Sequence, residues 1–71
     1  MIMAIDKKTL DRTDIKILDI LQRNGKISNV DLAAQVHLSP SPCLERVRSL
    51  EKYGYIKEYV AHLNPELLDA E

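Results

Sequence analysis

Seventy-one residues of net charge −1 make one small domain, 45% apolar and 30% charged, with three tyrosines and neither Trp nor Phe. A chain this short buries only about 60% of its extended surface, so its stability is marginal and its core must come from Ile, Leu, Val and Ala. No apolar run approaches the ~18 residues of a membrane span, no cleavable signal pattern opens the chain, and a single cysteine excludes an internal disulfide and fits a reducing cytoplasm.

Residues 1–9 show no periodicity and read as a flexible arm. Residues 10–54 read as a three-helix domain. In the first helix Asp11 is a good N-cap, and Leu10 with Ile15 has the spacing of a hydrophobic staple. Ile15, Ile17, Leu18 and Leu21 are expected to form its apolar stripe. Asn24-Gly25 ends it, with Gly25 suited to a left-handed C′ position. The second helix starts at Ser28, with Asp31 as a capping-box partner, and turns Leu32, Ala33 and Val36 to the core. His37 then occupies a turn that favours positive φ, a region where His is among the tolerated non-glycine residues. The third helix begins at Ser39-Pro40, and both prolines fall in its first turn, where N–H groups lack intrahelical partners. Cys43, Val47 and Leu50 mark its buried stripe, and Ser41, Glu45, Arg48, Ser49 and Lys52 lie opposite. Leu44 and Arg46 sit on the flanks, and Gly54 closes the helix.

A short helix, a three-residue turn and a longer helix form a helix-turn-helix, whose second helix fits a major groove. After Gly54 the period changes to two, and the run Tyr55–Leu63 reads as a linker strand. Asn64-Pro65 then starts a short terminal helix, so residues 55–71 are expected to be a linker and the beginning of a hinge helix. A strand with no visible partner, followed by an unfinished helix, points to an excised domain or to pairing with a second copy. The fold class expected is mainly α: a three-helix, winged-type helix-turn-helix, then a strand and a short helix.

Charge supports a nucleic-acid partner through its distribution. Residues 1–22 balance, residues 23–57 net +3, and residues 58–71 net −4. The positive charge thus falls on the helix-turn-helix and its flanks. The same charges on the third helix have a plainer explanation as surface i,i+3 and i,i+4 pairs. That explanation leaves Ser39, Ser41 and Ser49 unaccounted for. Cys43, at helical spacing with Val47 and Leu50, reads as a small buried hydrophobe. His37, Cys43 and His62 lack the spacing of metal ligands, so no metal or other cofactor is expected. No Ser-His-Asp order, paired acids or glycine-rich phosphate loop appears, so no enzyme is expected. Tyr53, Tyr55 and Tyr59 read as rim packing rather than as stacking platforms for single-stranded bases.

The segments LDRTD, SNVDLA, LSPSPCLERVRSLE and LNP occur in this order across residues 10–65. Together they resemble the N-terminal domain of the Lrp/AsnC (feast/famine) transcription regulators over about residues 10–69. His37 departs from the glycine usual at that turn. The resemblance implies a DNA-binding domain with a linker strand. It also implies a C-terminal α/β domain that binds amino acids and builds dimers and rings. That second domain is absent from these residues, so no small-molecule effector is expected to act on them.

On this reading double-stranded DNA is the partner. Ser41, Glu45 and Arg48 are expected to reach base edges, Arg48 to guanine and Glu45 to cytosine N4. Leu44 fits either a thymine methyl or the flank of the core, and Ser39 and Ser49 border the same face. Lys26, Ser28, Asn29, Arg46 and Lys52 are expected at phosphates, helped by the N-terminal amides of the second helix. A homodimer is expected through the 55–63 strand and, in a longer protein, through the missing domain. The expected location is the prokaryotic cytoplasm, at the nucleoid. A winged-helix protein-interaction module without nucleic-acid affinity and an RNA binder are the competing functions.

Overall fold

The computed structural model describes residues 9–68, so the expected N-terminal arm lies almost wholly outside the described residues. Four helices follow one another: α1 (Arg12–Arg23), α2 (Asn29–Gln35), α3 (Pro40–Lys52) and the single turn α4 (Pro65–Leu68). The first three converge on Ile17, Ile20, Leu32, Ala33, Val36, Cys43 and Leu50, all buried. Leu10, Leu18, Leu21, Ile27, Leu38, Val47 and Ile56 are partly buried around them.

Helix α1 starts at a reciprocal capping box. Asp14 N–H donates to Asp11 Oδ1 at 2.8 Å, and Asp11 N–H donates back to Asp14 Oδ2 at 3.3 Å. Two of the orphan amides of the first turn are thereby satisfied. Ile15, expected in the apolar stripe of α1, is instead 55% exposed. Ile15 and Ile17 stand about 200° apart on a 3.6-residue helix, so one face cannot hold both. Ile20, 60° from Ile17 on the other side, takes the place in the core expected of Ile15. The helix ends without a left-handed glycine. Asn24 N–H donates to Ile20 O at 2.8 Å, and the Asn24 side chain accepts from Lys26 N–H at 3.2 Å. This asparagine turn redirects the chain, and among the described residues only His37 (φ 60°) and Gly54 (φ 84°) have positive φ.

Ser28 caps α2 by accepting from Asp31 N–H at 3.0 Å, but Asp31 makes no return bond, so the expected box is half formed. The turn after α2 is closed by Leu38 N–H donating to Ala33 O at 2.9 Å. It passes through the left-handed residue His37, as expected. Ser39 precedes α3 without a side-chain cap; Pro40 at N1 has no N–H to satisfy. Cys43 and Leu50 are fully enclosed and Val47 is half-buried, which fixes the inner face of α3.

The linker strand does not form among the described residues. Residues 56–64 run as irregular chain. A strand is held by ladder hydrogen bonds to a neighbour, and no second β-like run exists here to supply them. Alternation alone set up the expectation. What holds the start of this segment is the end of α3: Tyr55 and Ile56 N–H both donate to Leu50 O, at 3.0 and 3.2 Å. Helix α4 forms where expected, its first turn capped by Asn64 Oδ1 accepting from Glu66 N–H at 3.0 Å.

Candidate nucleic-acid interface

With Cys43 and Leu50 directed into the core, the opposite side of α3 is open to solvent. Ser39, Ser41, Leu44, Glu45, Arg48 and Lys52 are exposed there, and Ser49 is half-buried at its edge. Leu44, at 36% exposure, stands on the flank between core and open face. Among the described residues neither Glu45 nor Arg48 enters an ion pair. Lys52 Nζ lies 5.7 Å from the centre of the Tyr53 ring, a cation–π contact that leaves its ammonium in solvent. The plainer explanation of these charges, mutual pairing on the helix surface, is therefore not realised. Lys26 and Ser28 are also exposed, at the turn that leads into α2.

Two residues expected at phosphates are engaged inside the protein. Asn29 Nδ2 donates to Pro40 O at 2.8 Å, tying the start of α2 to the start of α3. Arg46 turns away from the open face. Its Nη1 lies 2.9 Å from both Asp11 carboxylate oxygens and 3.0 Å from Asp14 Oδ1. Asp14 itself is 1% exposed. The hydrogen bond from Asp14 N–H, and after it the Arg46 guanidinium, hold the Asp11 carboxyl below its ordinary value. The same contacts, led by the bond to Asp11, raise Arg46 further. A carboxylate 60° from Ile17 on the buried side of α1 was the sequence signal for this cluster, since a charge on an apolar face needs a partner.

A second tie joins the trailing segment to α3. Tyr59 Oη donates to Glu51 Oε2 at 2.8 Å. A Cβ placed on Gly25 would lie 3.8 Å from Tyr59 Cδ1, so the ring rests close to the turn after α1. Partial burial of the phenol, followed by its hydrogen bond to the Glu51 carboxylate, pushes Tyr59 up to about 12. Nothing in the alternating pattern identified Glu51 as its partner. Cys43 is a free, enclosed thiol whose pKa burial pushes up, the opposite of an activated nucleophile. Among the described residues no three His, Cys, Asp or Glu side chains are placed to hold a metal, and no helix is long and apolar enough to cross a membrane.

The winged helix-turn-helix DNA-binding family matches residues 10–57, the whole of the unit just described and the first residues of the trailing segment. The chain is 70% identical over 63 residues to the leucine-responsive regulatory protein of Haemophilus influenzae, covering 89% of this chain and 38% of that one. It is 60% identical over the same length, with the same coverage, to the leucine-responsive regulatory protein of Escherichia coli. Among solved structures, a transcriptional regulator of Neisseria meningitidis in complex with L-Met superposes with a TM-score of 0.84 at 54% identity, over 86% of this chain and 40% of that one. An AsnC family transcriptional regulator of Agrobacterium tumefaciens gives 0.80 at 42% identity, over 84% and 39%. The chain thus spans less than half the length of these relatives. Its helix order and these likenesses agree: the chain belongs to the winged helix-turn-helix DNA-binding family, as a DNA-binding domain of the Lrp/AsnC transcription regulators.

Proposed function

We propose that this chain reads a half-site in duplex DNA with α3 in the major groove. The observation that carries the reading is the open face of α3, where Glu45, Arg48 and Lys52 project to solvent without ion pairs, directly behind the buried Cys43 and Leu50. Ser41, Glu45 and Arg48 reach base edges, and Leu44 meets a thymine methyl at the flank. Lys26, Ser28, Ser39, Ser49 and Lys52 border that face and contact phosphates. Replacing Arg48 by Ala costs about 1–3 kcal/mol of binding and relaxes preference at one base pair. Lys52→Ala weakens all duplexes alike and lowers the slope of log K against log salt by about one. Titrations against a duplex selected from a random pool and against a random duplex, at several salt concentrations, read both effects. Equal losses on the two duplexes would remove Arg48 from the base-reading set.

One such unit presents one recognition helix, whereas operators are usually bound by two, about one DNA turn apart. The exposed side chains of Tyr55, Tyr59, Val60 and Leu63 support strand pairing across a two-fold axis as the way two copies meet. A two-stranded ribbon is marginal alone, so the chain equilibrates between monomer and dimer, and Val60→Pro shifts it to monomer. Free leucine leaves this equilibrium unchanged, and in a longer protein further dimer contacts come from the remainder of the chain. Sedimentation at several concentrations, with and without leucine, tests both statements; a leucine-dependent shift would place an effector site within these 71 residues. The proposed place of action is the prokaryotic cytoplasm, at the nucleoid.

A further inference from the structure

We propose that Arg46 is a positioning residue for DNA recognition, which sets the rotation of α3 by clamping it to the capping box of α1. The inference rests on α3 being the DNA-reading helix. Around α3, Arg46 lies about 60° from Cys43, on the side away from Arg48, and about 160° from Arg48 itself. It therefore faces the N-terminus of α1 while Arg48 faces outward.

The apolar contacts of Cys43 and Leu50 fix which side of α3 turns inward but are non-directional. Of the polar ties to α3, Asn29 holds its first turn and Tyr59 its last, and Arg46 holds its middle. A charge-assisted hydrogen bond is directional. Nη1 of Arg46 reaches both oxygens of Asp11 and one of Asp14, so it touches both members of the capping box. Those carboxylates are themselves fixed by the two backbone bonds that start α1. Asp14, at 1% exposure, has no room to follow a displaced guanidinium. A rotation of α3 that breaks the clamp would carry Glu45 and Arg48 off the bases they read. Phosphate contacts, which tolerate small shifts of register, would suffer less.

The test uses this chain with Arg46→Met, which keeps an apolar stem, with Asp14→Asn, and with both changes together. Each is titrated against a selected and a random duplex at several salt concentrations. Arg46→Met, which removes the whole clamp, is expected to reduce the selected-to-random affinity ratio about tenfold; Asp14→Asn, which leaves the two Asp11 contacts, should reduce it by less, and the pair by no more than Arg46→Met alone. The salt slope should stay as in the unchanged protein. Arg46→Lys, which keeps the charge, should retain part of the ratio. A slope lowered by about one in Arg46→Met, with Asp14→Asn binding unimpaired, would make Arg46 a phosphate ligand and overturn the proposal. So would melting temperatures that fall in both variants while the ratio holds. Should Arg46→Met fail to fold, Asp11→Asn weakens the clamp at its exposed carboxylate; an unchanged ratio there would equally overturn it. Arg48→Ala serves as the separate control: no effect of that change on either duplex would sink the reading of α3 itself, independently of the clamp.

Discussion

Residues 10–54 and residues 55–68 are both rich in apolar side chains, yet every fully buried one lies in the first stretch, and of the second only Ile56 packs against that core. In the three-helix unit Ile17, Cys43 and Leu50 are wholly enclosed. In the trailing segment Val60, Leu63, Leu67 and Leu68 are each about two-thirds exposed or more. The difference is one of partners. Three amphipathic helices joined by short turns close on one another, whereas an extended run needs a neighbouring strand or layer to cover it. Hydrophobicity along the sequence thus reports the demand for burial, and topology decides whether it is met. The trailing segment is attached through its first residues and through one phenol, by the bonds from Tyr55 and Ile56 to Leu50 O and from Tyr59 to Glu51.

Truncating one leucine in each region measures that contrast directly. Leu50→Ala should cost about 2–5 kcal/mol, the transfer loss plus the cavity left behind. Leu63→Ala should stay within about 0.5 kcal/mol, since its side chain is already hydrated. Denaturant unfolding of both variants compares them, and comparable losses would mean that Leu63 is covered in solution. Cys43→Ser should come next, at about 1–3 kcal/mol, because a hydroxyl replaces an enclosed thiol among apolar neighbours. DNA affinity of the folded fraction should be unchanged. An intact melt with lost binding would instead give the thiol a chemical role.

Much of this contrast was legible in the sequence. Asp11, Ser28 and Ser39-Pro40 announced the three helix starts, and Cys43-x3-Val47-x2-Leu50 announced which side of α3 turns inward. The left-handed turn at His37 and the exposed side of α3 followed from the same local rules. What escaped was non-local. Arg46 and Asn29 look like surface polar residues until α1 and α3 are brought to them, 32 residues or more away in one case and 11 in the other. Ile15 was misplaced because hydrophobicity was counted without its angle around the helix. The strand was expected from alternation, which states a preference for a partner and cannot provide one.

The link between the two regions can be read by titration. The folded-state pKa of Tyr59, about 12, exceeds its ordinary value of 10.0, so the folded protein holds that proton more tightly. Its contribution to stability is fully present below pH 10 and is lost as pH rises through about 12. An ultraviolet titration should show a tyrosine with a midpoint near 12 that disappears in Tyr59→Phe and moves down in Glu51→Gln. A titration unaltered by Glu51→Gln would mean that the segment is not fastened there.

A last contrast lies between the two glycines, one at the boundary between the regions and one beneath the tyrosine. Gly54 has φ 84°, and a Cβ there would meet no atom within 4 Å, so only backbone strain opposes a side chain. Gly54→Ala should therefore cost about 1 kcal/mol, the penalty of a left-handed L-residue. Gly25 lacks a positive φ, and its added Cβ would sit at ordinary contact distances, 3.7 Å from Leu21 O and 3.8 Å from Tyr59 Cδ1. Gly25→Ala should leave stability unchanged or raise it by about 0.4–1 kcal/mol, because alanine restricts the unfolded chain more than glycine does. Opposite signs for two identical substitutions separate backbone strain from crowding. If Gly25→Ala destabilised as much as Gly54→Ala, the Tyr59 ring would have to press on that turn more tightly than its 3.8 Å spacing allows, and the trailing segment would be packed rather than tethered.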